Sequence, residues 1–337
     1  MRGVDLAKWT FDWDLTFALL TVHPDGTVLH RYGGRDAREP DHWLTEASFQ
    51  RFLEASLSSH AAHEPQQGSQ YESQQGNQAK PKEAPPEPLT IDSIPAFAER
   101  DKGACIHCHS ALPALRLDAQ FQGDWTRDKL WVYPPPAKIG VDLDRDEQSL
   151  ITLVAPDSPA GRAGLRAGDR LTAIATATDL MALLHDLPPA AVTLQLDYQR
   201  QGAAHTAALQ LAAGWKIYTP REFAWRPSKW GLSPAPGFGG PVQDAAQLKA
   251  LGLPESTFAF QVDYLVTWGE NQARGKAAAA AGITKGTIIL GTDTTRDFDS
   301  IDHFHAWWRL KVSKGSDVRI ATWQDGDVKF ITLPRAR

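Results

Sequence analysis

A chain of 337 residues is about twice the usual length of one domain, so two or three cores are expected rather than one. Hydrophobic residues make up 42% and charged residues 22%, the balance of a globular protein, and no run approaches the roughly eighteen apolar residues that a membrane helix needs. The 35 basic and 40 acidic side chains leave a net charge of -5, which argues against a nucleic-acid-binding surface over the whole molecule.

In chain order, Leu15–Val22 is rich in β-branched and aromatic residues, His23-Pro24-Asp25-Gly26 turns the chain, and Thr27–Tyr32 returns it. That is a hairpin signal. A helix is predicted over Glu46–Ser59, with Phe49, Phe52, Leu53 and Leu57 on one side. Residues 64–90 follow, with Gln66-Gln67-Gly68-Ser69-Gln70 and Pro85-Pro86-Glu87-Pro88 and almost no apolar content, the composition of a disordered linker.

Residues 91–137 carry both cysteines of the chain, in Gly103-Ala104-Cys105-Ile106-His107-Cys108-His109. Two cysteines cannot make a disulfide framework, and a chain this long does not need one. Their spacing is the C-x-x-C-H pattern of covalent haem c attachment. Each thiol adds to one haem vinyl group, the two-residue gap lets both reach one porphyrin edge, and His109 then lies under the iron as proximal ligand. Two other readings stay open. A thiol/disulfide pair needs a thiolate at a helix N-terminus, which Ser110-Ala111-Leu112 could provide with Pro113 in the first turn. A zinc site lacks the second C-x-x-C that would complete four ligands, leaving another metal site or an inert pair.

If haem is bound, the distal ligand decides its chemistry. Met1 is the first residue, and Met181 sits in the apolar helical stripe Asp179–Leu184, where a methionine is core. A Met-ligated iron is therefore not expected, and His107 lies inside the attachment loop. The distal position is either open or taken by His60, His63, His303 or His305, a solvated surface histidine being the alternative for each.

Residues 138–214 form a first module. Ile139-Gly140-Val141 opens a strand and Ser149–Val154 forms another; Ser158-Pro159 then starts a short helix that Ala163-Gly164-Leu165 packs closely, and Gly168-Asp169 turns into the next strand. The stripe at residues 179–187 is a helix, and Thr193–Tyr198, Arg200-Gln201-Gly202 and His205–Leu211 close a hairpin. Residues 215–337 repeat the pattern: Ala281-Gly282-Ile283-Thr284-Lys285-Gly286-Thr287-Ile288-Ile289 matches Ala163 to Leu171, with Thr287 in place of Asp169, and Gln324-Asp325-Gly326 matches the hairpin turn. Gly237-Phe238-Gly239-Gly240 is the candidate loop of this second copy. Trp215, Trp225, Trp230 and Trp307-Trp308 are read as packing, the alternative being an aromatic platform or a haem wall. No Ser/His/Asp protease arrangement is present and Ser158 follows no nucleophile-elbow pattern, so no catalytic residue is assigned.

The tract from Ile139 to Leu171 is similar to the PDZ domains of periplasmic high-temperature-requirement proteases. That resemblance implies β-augmentation. A partner's C-terminal strand would add beside Ile139, Gly140 and Val141, whose loop amides face the terminal carboxylate, and pockets beside Leu180 and Leu184 would select an apolar last residue. A PDZ fold used only for packing is the alternative. The hairpin and helix of residues 1–63 resemble the second half of a thioredoxin-like domain, without its active-site cysteines and with Leu15-Thr16 where Pro-Thr belongs.

With Asp12-Trp13-Asp14-Leu15-Thr16-Phe17, the C-x-x-C-H run and the tract Val132-Tyr133-Pro134 to Ile139-Gly140, the chain resembles a bacterial family of thioredoxin-like/PDZ (seleno)proteins. The expected fold is a multidomain α+β chain: a partial thioredoxin-like segment, a haem-attachment segment and two PDZ-like β-sandwich or barrel modules, at 138–214 and 215–337. The expected function is an extracytoplasmic mono-haem protein for electron transfer or redox or gas sensing. It would dock on a protein C-terminal peptide or a redox partner, with no nucleic acid and no membrane span. The alternative is a haem-free PDZ scaffold or a thiol/disulfide protein using Cys105 and Cys108. Met1-Arg2-Gly3-Val4-Asp5 lacks a following apolar segment, so a periplasmic location requires a leader outside this chain.

Overall fold

The computed structural model describes residues 3–6, 9–15, 17–63, 89–94, 111–126, 133–228, 236–268, 272–312 and 316–334. The expected linker up to residue 88, the motif Cys105–His109 and Trp230 lie outside the described residues. Two compact units divide the chain, Met1–Ile217 and Tyr218–Arg337. Both mix helices with several small antiparallel sheets.

The first unit opens with the hairpin of β1 (Ala18–Val22) and β2 (Val28–Gly33), Leu20 opposite Arg31. Helix α1 (Glu46–Ala62) is started by a capping box: the Thr45 side chain accepts the Ser48 amide and the Ser48 side chain accepts the Thr45 amide. Its buried row is Ser48, Phe52 and Ser56, so of the apolar row expected from the sequence only Phe52 faces the core. Phe49, Leu53 and Leu57 are exposed, Leu57 at 70%. The hairpin selects this face through polar partners: Tyr32 Oη lies 2.8 Å from Ser48 Oγ and Thr21 Oγ1 3.0 Å from Ser56 Oγ. A one-turn 3-10 segment, Ile91–Ser93, places Ile91 and Ile94 in the core. Helix α2 spans Ala111–Gln122.

The first module then follows. A 3-10 turn, Pro136–Ile139, ends at Gly140 with φ +85°, a left-handed conformation that favours glycine. A Cβ there would strike the Ser158 side chain. Strand β3 (Val141–Leu143) pairs with β4 (Ile151–Val154), and Ser158 caps the short helix α3 (Pro159–Arg162) by accepting the Gly161 amide. Strand β5 (Arg170–Leu171), helix α4 (Ala177–Asp186) and the long hairpin β6 (Val192–Arg200) and β7 (Ala203–Leu211) complete it, with sheet order β5-β6-β7. Alternate residues Leu194, Leu196 and Tyr198 point inward, the period of a half-buried strand. Met181 is 1% exposed, in the core as its apolar stripe predicts.

The second unit contains the short helix α5 (Pro220–Phe223), β8 (Phe238–Gly239), α6 (Ala245–Ala250), β9 (Phe260–Gln261), β10 (Tyr264–Leu265) and α7 (Gln272–Ala280). It continues with β11 (Ile288–Thr292), α8 (Ile301–Lys311), β12 (Val318–Gln324) and β13 (Asp327–Leu333). Its main sheet runs β13-β12-β11-β9, and β8 pairs with β10. Phe238, Phe260, Phe304 and Trp308 meet in its core. The tryptophans pack: Trp308 is buried, Trp307 meets Phe298 edge-on at 5.8 Å, and Trp225 lies under the Arg226 guanidinium at 4.6 Å. Among the described residues, no helix is long and apolar enough to cross a membrane.

Candidate functional site

The five residues expected to receive a peptide come together around α4, but inside the core. Ile139, Val141, Leu180 and Leu184 belong to one buried cluster, with Leu180 and Leu184 at 0% exposure. The Gly140 amide is already used, donating to Ala137 O at 3.0 Å, and the Gly140 carbonyl accepts from Ala155.

The chain itself covers this region. The Arg31 amide and a His30 ring nitrogen both reach the Asp179 carboxylate in the first turn of α4, at 2.7 and 2.8 Å, and the Thr176 hydroxyl donates to the Arg31 carbonyl. Beyond β2, a Cβ on Gly34 would meet Thr178, Met181 and Trp43. Arg38 donates to Asp142 on β3 at 3.1 Å, and its guanidinium stacks over Trp43 at 4.8 Å. The Gln148 side chain ties both sides together, donating to the Trp43 carbonyl at 2.8 Å and accepting the Ala177 amide at 3.0 Å. Trp43, itself at 0% exposure, lies in the same core cluster as Leu180 and Leu184. Further along α4, the Tyr133 ring stacks on His185 at 4.1 Å and 3°, and burial pushes its phenol up to about 12. Lys216 closes the helix end by donating to the carbonyls of His185 and Leu187; burial draws its ammonium down to about 8.

In the second unit, Gly237 stands where Gly140 stands in the first. Its φ is +82°, its carbonyl accepts from Val266 at 2.8 Å as that of Gly140 does from Ala155 at 2.9 Å, and Phe238 pairs with Leu265 as Val141 pairs with Val154. Beside this strand pair lies a cationic cluster. Arg309, 3% exposed on α8, donates to the His305 carbonyl at 3.1 Å, and its guanidinium is drawn down to about 10, chiefly by burial and then by the charge of Arg274.

The four histidines proposed for a distal haem position fall in two places. His303 and His305 are buried on α8; the His303 ring nitrogen accepts the Asp299 amide at 3.2 Å, and burial lowers its pKa. His60 and His63 end α1 beside the hairpin turn, where His63 Nε2 sits 2.8 Å from Asp25 and His60 packs 5.0 Å from the His23 ring. Asp25 is held well below the usual carboxylate range, first by the Thr27 amide and then by His63. In the sequence, His23-Pro24-Asp25 reads only as a turn. The spacings His-x-Asp there and His-x-x-His at residues 60–63 were the available signal, since i and i+3 share a helix face.

Residues 150–177 match the family described as PDZ domain. No curated protein matches the chain. Among solved structures, an HtrA-type protease, AlgW, determined with a decapeptide, is similar over 42% of this chain and 40% of that one, at 15% identity and a TM-score of 0.24. This chain thus spans about two-fifths of that structure's length. The family match runs from β4 through α3 and β5 to the first residue of α4. On that stretch the first module is similar to a PDZ domain.

Proposed function

We propose that this chain is an extracytoplasmic docking protein that carries a covalent haem c. The observation that carries the docking half is the PDZ match over 150–177 together with the left-handed Gly140 loop that leads into β3. A partner's C-terminal peptide would add along β3, with its carboxylate at the Gly140 loop and an apolar last side chain toward Leu180 and Leu184. Because residues 31–43 and Tyr133 cover α4, the peptide must displace them, and apparent affinity falls by the fraction of molecules that are open. The end of the degenerate thioredoxin-like hairpin and the segment after it then serve as the cover. Gly237 and Phe238 give the second unit a PDZ-like loop of its own, with Arg274 and Arg309 as nearby cations.

The haem half rests on Cys105, Cys108 and His109. Bound there, haem would supply electron transfer or redox or gas sensing; the two thiols would hold it and His109 would ligate the iron from the proximal side. Attachment of this kind belongs outside the cytoplasm, which supports a periplasmic location. The test is a pyridine haemochrome spectrum of protein made with the cytochrome c maturation machinery. One covalent haem per chain, lost in Cys105→Ser/Cys108→Ser, is expected, and its absence removes the haem. For docking, selection from a C-terminal peptide library should enrich free carboxylates with apolar last residues. Equal binding of the amidated peptides would sink β-augmentation.

A second reading takes Cys105 and Cys108, which precede α2 in the chain, as a thiol/disulfide redox pair. Alkylation and mass measurement with and without reductant would show two thiols interconverting with a disulfide.

A further inference from the structure

We infer that the β1–β2 turn and the C-terminal end of α1 form a binding site for a divalent transition-metal ion of the zinc type, with His23, Asp25 and His63 as ligands. The two segments are far apart in sequence and each brings a pair of donors. The turn brings His23 and Asp25; the last turn of α1 brings His60, with His63 just beyond it as the C-cap. His23 Nδ1 lies 3.2 Å from one Asp25 oxygen and His63 Nε2 2.8 Å from the other. All three ligand atoms fall within 4.8 Å of one another. Zinc holds such donors at about 2.0–2.2 Å, so the edges of its tetrahedron are about 3.4 Å, inside that span.

The turn is built to hold its two ligands still. The His23 amide donates to Thr27 O at 2.8 Å, the Gly26 amide to His23 O at 2.8 Å, and the Thr27 amide to Asp25 Oδ1 at 2.8 Å. That last bond is the outer-shell support that orients a ligating carboxylate. The helix is pinned to the hairpin by Thr21 with Ser56 and by His30 with Ser59, at 3.0 and 2.8 Å, so the two halves of the site keep their spacing. The His23 and His63 rings are 4.1 Å apart, and the His60 ring stands 5.0 Å from His23. Side-chain exposures of 15% for His23, 16% for His63 and 31% for Asp25 leave an approach from solvent. Two imidazoles and one carboxylate suit zinc, nickel or copper rather than calcium or magnesium. His60 supplies the fourth ligand after a rotamer change, or water does.

The test uses the full chain with Cys105→Ser and Cys108→Ser, which removes the competing thiols and the haem-attachment chemistry. Failure of this site and failure of the haem reading are therefore separate results. Calorimetric titration with Zn²⁺ alone should give one equivalent per chain, and Co²⁺ in its place should show d–d bands without sulfur charge-transfer absorption. His23→Ala, His63→Ala and Asp25→Asn should each weaken binding at least about tenfold, His60→Ala only a few-fold, and His205→Ala not at all. Zn²⁺ should also raise the Tm of the parent through mass action, and this rise should vanish in His23→Ala/His63→Ala, a readout that does not require equal stability of the variants. No saturable binding to the parent, or equal binding to the double variant, would overturn the site.

Discussion

The first module and the second unit build the same turn from different side chains. In the first, the Arg166 amide donates to the Asp169 carboxylate at 2.8 Å, the Leu165 amide returns to Ala160 O, and the Gly168 amide reaches Ile151 O. In the second, the Thr284 amide donates to the Thr287 hydroxyl at 3.1 Å, Ile283 returns to Ala278 O, and Gly286 reaches Val262 O. The glycines keep the same hand, Gly164 and Gly168 at φ +84° and +93°, Gly282 and Gly286 at +99° and +93°. The backbone bonds are therefore the conserved quantity between the two copies, and the side chain at the turn is free to change from carboxylate to hydroxyl as long as it accepts one amide. What changes is charge. Asp169 also receives Arg200 at 2.7 and 2.8 Å, so the first copy ties its turn to its hairpin with a buried carboxylate, a link that Thr287 cannot make.

The hardest test of this equivalence is at the loop glycines. Gly140→Ala would press a Cβ into Ser158, and Gly237→Ala would place one 2.6 Å from the Arg274 backbone, each at a left-handed φ. Strain and overlap together should cost about 3 kcal/mol at each position, read as matching falls in the urea midpoint at unchanged slope. A costless Gly237→Ala would break the pairing of the two loops.

A smaller and asymmetric effect is expected at the turn residue. Asp169→Ala removes three accepted hydrogen bonds from a group 1% exposed and should cost about 2–3 kcal/mol, whereas Thr287→Ala, losing one partly exposed acceptor, should cost about 1 kcal/mol. The acid limb should differ too. Burial raises the Asp169 pKa, but the Arg200 hydrogen bond, the Arg166 amide and the Arg200 charge outweigh it, so the carboxyl sits below its ordinary 3.8. Its stabilisation is present above that ordinary value and is lost as pH falls through the lower native one. Asp169→Asn should therefore flatten the loss of stability below pH 3.8; an unchanged acid limb would mean that the Arg200 pairing contributes nothing.

Such turns are legible in sequence because a left-handed residue and a tight return leave glycine little competition, so Ala163-Gly164-Leu165 and its copy at Ala281 announce themselves. Amphipathic faces are less so. The apolar row Phe49, Phe52, Leu53 and Leu57 looks like a core stripe, yet the hairpin offers hydroxyl partners at Thr21 and Tyr32, and the helix turns its serines inward with only Phe52 of that row. The cover over α4 was hidden for a different reason: Arg31 and Asp179 are 148 residues apart, and neither belongs to a motif. The histidine cluster needed both at once, a turn read only as a turn and a helix end whose neighbour is fixed by tertiary packing. PDZ-type local grammar thus survives reading from sequence, as does the grouping of Ile139 and Val141 with Leu180 and Leu184, while the cover over α4 and the histidine cluster do not.

The smallest effect concerns the two hairpin turns, which differ in how well their first residue tolerates a left-handed backbone. Gln201 and Asp325 have φ +52° and +54°, each followed by a glycine, the geometry of a type I′ turn. Asparagine and aspartate adopt that conformation at lower cost than glutamine because their short side chains bond to the local backbone. Gln201→Asn should therefore stabilise the first module by about 0.5–1 kcal/mol. Asp325→Asn should change little, because Asp325 already suits the turn and its exposed pairing with Lys329 at 3.4 Å is worth almost nothing. Urea midpoints of the two variants decide it. A gain at Asp325 equal to that at Gln201 would show that the glycine alone sets the turn in both copies, and that the residue before it carries no information about the strand pairing.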